Sequence, residues 1–267
     1  MIAQFTLPVT AVDILGDWLG VTVRVFPLNI PQHGHTQADR ERLATGVWHN
    51  LSTSGLTSNG HLVPELEDGV RTIGRAQVSA AMVLATATEP HRAVRAGSDG
   101  QHAAIAVQDD EAVSYTVLHP SEVVSTLIGL VPAATPLPGR SVSFPGEAFR
   151  HSAGQTDRAV QDEDVFVTTV LEDLRPAPNG YAAQREIAER MMHRSCRQGG
   201  TVIVFGRDPH GRECAGAPLV WRDTDEGRFM SYMSTNADGT VWESFAPADT
   251  RRLAQHIVTM WTEAAGY

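Results

Sequence analysis

Between residues 77 and 118 the chain alternates its side chains in four consecutive runs, QVSAAMVLA (77–85), HRAVRA (91–96), HAAIAVQ (102–108) and AVSYTVL (112–118). A period of two sends successive side chains to opposite faces of a strand, and the gaps, which contain TEP, GSDG and DDE, are of hairpin length. These residues are therefore expected to form a four-stranded antiparallel meander. The pattern returns in TVIVFGR (201–207), ECAGAPLVW (213–221), RFMSYMST (228–235) and TVWESF (240–245), separated by DPHG, DTDE and NADG. Each meander runs into a helix expected to open on proline, PSEVVSTLIG from Pro120 and PADTRRLAQHIVTMW from Pro247, the latter with Leu253, Ile257 and Trp261 inward. Helices, meander and proline-started helix thus occur twice in one order. No repeat is visible residue by residue, so the order indicates a duplicated structure and not a solenoid.

Helical periodicity accounts for much of the rest. Thr10 and Asp13 have the spacing of a capping box, with Val12, Leu15 and Leu19 on one face behind them and Gly20 as the stop. TVRVF (22–26) alternates like a short strand. Thr36 and Asp39 repeat the cap before a stripe of Leu43, Val47, Trp48 and Leu51 that Gly55 closes, and Pro64 starts a third helix with Leu66, Val70 and Ile73 inward. The proline-rich stretch 131–146 reads as an irregular connector. Beyond it, residues 157–175 look helical, and Asn179 caps a longer helix that Gly199 and Gly200 would end. The domain picture is one unit over 1–267, with an N-terminal half of about 1–130, a connector of about 131–156 and a C-terminal half of about 157–267.

Composition removes several classes of function. The formal net charge is −10, and nucleic acid demands the opposite sign along a stripe. All 21 cationic side chains are arginine, so no Schiff-base lysine or Walker-type phosphate loop exists. Cys196 and Cys214 are too few for a disulfide framework and lack C-x-x-C spacing, and no run of some 18 apolar residues marks a membrane span, so a cytoplasmic protein without stable membrane insertion is expected. His33 and His35 sit in a turn before a cap, without the H-E-x-x-H pattern of a zinc site. No G-x-S-x-G elbow occurs, and GSDG and GGTVIVFG lack the spacing of dinucleotide loops. No catalytic, cofactor or metal residue is assigned.

The C-terminal stretch GRFMSYMSTNADGTVWESFAPAD, with Gly227, Arg228, Phe229, Tyr232, Trp242, Pro247, Ala248 and Leu253, resembles the signature of the EspG family associated with ESX (type VII) secretion. DILGDWLG, HGHTQADRERL and SGLTSNGHLVPELEDGV resemble the family's N-terminal half, and the likeness runs from about residue 9 to 261. The resemblance implies an α+β fold, a central twisted antiparallel β-sheet flanked by helical subdomains with pseudo-two-fold internal duplication. It also implies a cytosolic, non-enzymatic chaperone that binds helical PE/PPE-like substrate pairs and delivers them for export. In the family the grip comes from the sheet surface, the loop between the second and third strands and the C-terminal helices. Carried over, the first three strands are 22–26, 77–85 and 91–96, and the loop is the short Thr86–Pro90. The partner-binding candidates are Thr86, Thr88, Glu89 and His91 from that loop, and Arg228, Met230, Tyr232 and Trp242 from the last hairpin. Alternation splits this hairpin into two faces, one toward the protein's own helices and the other either toward a partner or likewise covered. For Arg228 an internal carboxylate is the first expectation. A hydrolase or transferase with dispersed His, Asp and Ser groups, and a scaffold subunit of the secretion apparatus, stay open as alternatives.

Overall fold

One antiparallel sheet carries the fold. In the computed structural model, which describes residues 3–86, 91–146 and 181–266, the elements follow in chain order. They are β1 (Ala3–Pro8), α1 (Val9–Leu19), α2 (Gln37–Thr53), the two-residue strands β2 (Thr57–Ser58) and β3 (His61–Leu62), and α3 (Pro64–Arg75). The first meander is β4 (Val78–Thr86), β5 (Arg92–Ser98), β6 (Ala103–Asp109) and β7 (Ala112–Leu118), followed by a 3₁₀ turn and α4 (Val123–Gly129). Then come β8 (Val142–Pro145), α5 (Ala182–Met192), β9 (Cys196–Arg207), β10 (Glu213–Ala215), β11 (Leu219–Thr224), β12 (Gly227–Thr235), β13 (Val241–Pro247) and α6 (Thr250–Ala265).

The strand order is β1-β7-β6-β5-β4-β9-β11-β12-β13-β8, with β10 beside β9. The two meanders meet where β4 pairs with β9, from Val78 opposite Gly206 to Thr86 opposite Gln198. Counted outward from that seam the order is β4-β5-β6-β7-β1 on one side and β9-β11-β12-β13-β8 on the other. Each half therefore sends an early strand to its outer edge, and both outermost strands finish on a proline, Pro8 and Pro145.

One face of the sheet lies under α4 and α6. Val123 and Leu127 of α4 and Leu253 and Ile257 of α6 bury completely against Met82, Val94, Val202, Trp221 and Met230, each such side chain contributing about 2 kcal/mol of apolar burial. The opposite face is divided. Leu15, Leu66, Val70 and Ile73 of the N-terminal helices cover Ala104, Ala106, Val113 and Tyr115, while Ala188 and Met191 of α5 cover Phe144, Phe229 and Phe245.

Several local expectations need correction. Helix α1 begins directly behind Pro8 and has no side-chain cap. Asp13 turns inward instead, 1% exposed, where it accepts from the Arg40 guanidinium at 3.0 Å and the His33 backbone N–H at 2.9 Å and pairs with Arg24. It fastens the loop after α1, a use that spacing alone cannot distinguish from a cap. Residues 22–26 are not a strand. Val21 and Val23 alternate inward because they pack on helices, Val23 into the space above Gly16 and the Thr22 carbonyl against Gly74. The first strand is β1.

Gly199 and Gly200 do not stop a helix; they lie within β9. The run 213–221 divides into β10 and β11, and the connector contains β8. Pro247 ends β13, and Asp249 caps α6 by accepting from the Arg252 N–H at 2.8 Å. The Thr36/Asp39 capping box is formed as expected. Residues 157–175 and the Asn179 cap lie outside the described residues.

Candidate functional site

Among the described residues, the divided covering leaves a strip of sheet between α1–α3 and α5. Register places Val83, Thr201, Val220 and Ser231 in one row across β4, β9, β11 and β12, and Ile203 and Phe205 follow on the same face of β9. Val83, Thr201, Phe205, Val220, Ser231 and Met233 are all half-buried, and none belongs to the three core clusters. Four strands at about 4.8 Å spacing give a floor about 14 Å across, comparable to the 10–12 Å diameter of one helix with its side chains. The lining is small, β-branched or flexible, suited to adaptable apolar contact.

Polar groups organise the margins of this strip. Arg95 of β5 is 1% exposed and donates to the Phe26 carbonyl at 3.0 Å and to Ser79 Oγ at 2.7 Å. It also pairs with Glu213 of β10 and stacks over the Phe205 ring at 4.9 Å. Burial pulls its guanidinium below the ordinary arginine range, and the Glu213 charge opposes that shift. Gln108 of β6 accepts from the Asn29 N–H at 2.7 Å and donates back to the Asn29 carbonyl at 2.9 Å. At the other margin, burial raises the Glu243 carboxyl above its usual range while the Arg185 charge opposes the shift.

A cavity of about 340 Å³ opens where β4 ends and β5 begins. Leu84, Leu130 and Trp221 form its apolar lining, and Thr86, His91 and the Arg92–Asp109 ion pair at 2.8 Å stand on its rim. Of the loop candidates, Thr86 and His91 are thus brought together here; Thr88 and Glu89 lie outside the described residues.

The hairpin candidates are scattered. Arg228 is fully buried, donating to Asp223 at 2.7 Å and to the Pro132 carbonyl at 2.7 Å. Its own backbone N–H and carbonyl bond Thr135 and Leu137, so it clamps the connector to β12. It offers no surface to a partner, and the internal carboxylate expected for it is Asp223. Met230 is likewise interior, 2% exposed beneath α6. Tyr232 is half-buried with its ring 4.2 Å from His256 of α6, and Trp242 is half-buried edge-on to Tyr181 at 5.6 Å. One face of the hairpin thus meets α6, which follows it directly in sequence, while on the other α5 covers Phe229 and Phe245 and leaves Ser231 and Met233 in the strip. Sequence reasoning missed Val83, Thr201, Val220 and Phe26; the alternation showed that one face of each strand points away from the core without showing which face stays bare.

Among the described residues no three His, Cys, Asp or Glu side chains come together as a metal site, and no helix is long and apolar enough to cross a membrane. Comparison with known proteins adds the lineage. The model of the EspG family matches residues 8–259, and no curated protein matches the chain. Among solved structures, the Mycobacterium tuberculosis type VII secretion system chaperone EspG5, determined in complex with a PE25–PPE41 dimer, is similar at 14% identity and a TM-score of 0.63, over 98% of this chain and 96% of that one. At that identity the likeness establishes a shared fold.

Proposed function

This chain belongs to the EspG family, and on that premise we propose that it is a chaperone of type VII secretion. It binds helical PE/PPE-like substrate pairs in the cytosol, keeps them soluble and directs them to export, without catalysing a reaction. The observation that carries this reading is the half-buried strip of Val83, Thr201, Val220 and Ser231, a helix-wide floor of valine and hydroxyl side chains that no described helix covers. Apolar surface left open on one face of a sheet is a docking platform for an amphipathic helix, which buries its own apolar stripe there. EspG5, which shares the fold, was captured with a PE25–PPE41 dimer. That association supports assigning a partner of the same kind here.

Thr86 and His91 stand on the cavity rim at the end of the sheet, on the α4–α6 side with Leu84 and Trp221, so a pair docked on the strip meets them only by reaching around that end. Arg228 and Met230 take no part in the proposed contact, being interior; Tyr232 and Trp242 contribute through whatever surface α6 and Tyr181 leave open.

The deciding experiment is co-expression with PE/PPE-like pairs encoded near this gene, followed by gel filtration. A stable complex in a single peak is expected. A folded chain that elutes alone beside every such pair would refute the reading.

A further inference from the structure

The loop after α1 carries the most exposed large apolar side chain among the described residues, Phe26 at 51%. Exposed loop aromatics are usually free to move, yet the backbone here is fixed from below at two points. Arg95 Nη1 donates to the Phe26 carbonyl at 3.0 Å. Three residues on, Gln108 closes a two-way pair with the Asn29 main chain, at 2.7 and 2.9 Å.

Both supports are buried polar side chains rising from the partly open face. Arg95 is opposite Ala81, and Gln108 is opposite Ala93, which is itself opposite Val83 of the strip. Burying an arginine and a glutamine is unfavourable unless their bonds are used, and here one arginine bond and two glutamine bonds are used on the loop that presents the Phe26 ring, while Arg95 Nη2 binds Ser79 and Glu213. Arg95 also reaches Glu213 and the Phe205 ring, so it ties the loop to the far side of the β4–β9 seam.

We infer that Phe26 is an aromatic anchor at the wall of the strip, and that Arg95 and Gln108 are positioning residues that hold it ready for the apolar face of a helical client. This rests on the client-binding reading above. A ring carried on backbone that is already held loses less freedom when a helix settles beside it, the condition under which one aromatic side chain dominates an interface.

The test uses the full chain and the co-expressed helical pair from the preceding experiment. Phe26→Ala, and Phe26→Gln as a second variant that keeps bulk, should weaken the complex about tenfold. Gln101→Ala, at an exposed site in the turn between β5 and β6, should leave it unchanged. Gln108→Ala should weaken binding and speed hydrogen exchange over residues 24–30. Its combination with Phe26→Ala should bind no worse than Phe26→Ala alone, because a residue acting through the ring has nothing left to hold. Wild-type affinity in both Phe26 variants would overturn the anchor, and additive losses in the double variant would overturn the positioning role. Failure of the wild type itself to form a complex would overturn the parent reading, and the anchor with it.

Discussion

A fully buried arginine persists in a fold only when its charge is matched and its donors are used. Arg228 meets most of that condition with Asp223 and the Pro132 carbonyl while its own main chain carries the connector, Nη1 being the one guanidinium nitrogen left without a partner. Removing one member of such a pair strands the other's charge in a low-dielectric interior. Arg228→Met should therefore destabilise the protein by about 3–5 kcal/mol in urea unfolding, and the double change with Asp223→Leu should recover much of the loss. His256 is subject to a gentler version of the same constraint. Burial beneath Tyr232 lowers its pKa from 6.5, although Glu263 pulls the other way. A folded pKa below the unfolded one means the native state resists taking up the proton. The stability this contributes is present above pH 6.5 and is lost as pH falls through the folded value. Thermal melts between pH 8 and pH 5 should show the wild type losing more stability than His256→Gln, and parallel curves would contradict this.

At the scale of elements, β9 depends on the absence of two side chains. A Cβ on Gly200 would lie 2.4 Å from the Trp221 ring and 2.6 Å from the Val83 carbonyl, and one on Gly199 would lie 2.6 Å from the Trp221 carbonyl. The indole occupies the room that a residue at position 200 would need. Gly200→Ala should cost about 1–3 kcal/mol by overpacking, relieved when Trp221→Leu is added, as measured by denaturant midpoint at constant m-value. The glycine pair reads in sequence as a helix stop because glycine often closes helices, and the partner that explains it lies some twenty residues downstream. The meanders were legible because period two with hairpin-length gaps admits few alternatives. Residues 22–26 were misread because alternate burial against helices imitates alternate burial in a sheet. The half-buried strip was illegible for a related reason: which strand face the described helices leave uncovered depends on where α1–α3 and α5 settle, and periodicity within a strand carries no record of that.

At the scale of the molecule, the two halves share one sheet through the nine residues of β4, with Arg95–Glu213 and Arg207 donating to the Ala76 carbonyl at 2.6 Å across the same seam. Neither half can retain its inner strand edge in water without exposing a row of unpaired amides. Residues 1–139 and 140–267 expressed separately should aggregate or stay unfolded, whereas the two together should co-purify as one complex; two independently soluble, folded halves would show that the seam is dispensable. The far ends of the sheet pose the opposite problem. Among the described residues the sheet has two unpaired edges, and such a sheet is in principle a monomer for polymerisation, each outer strand a template for the next molecule's. Closing both outermost strands with proline, Pro8 and Pro145, shortens the run of donors a neighbour could copy. The ends of the sheet are thereby kept blunt as growth sites, and any adhesion is left to its face.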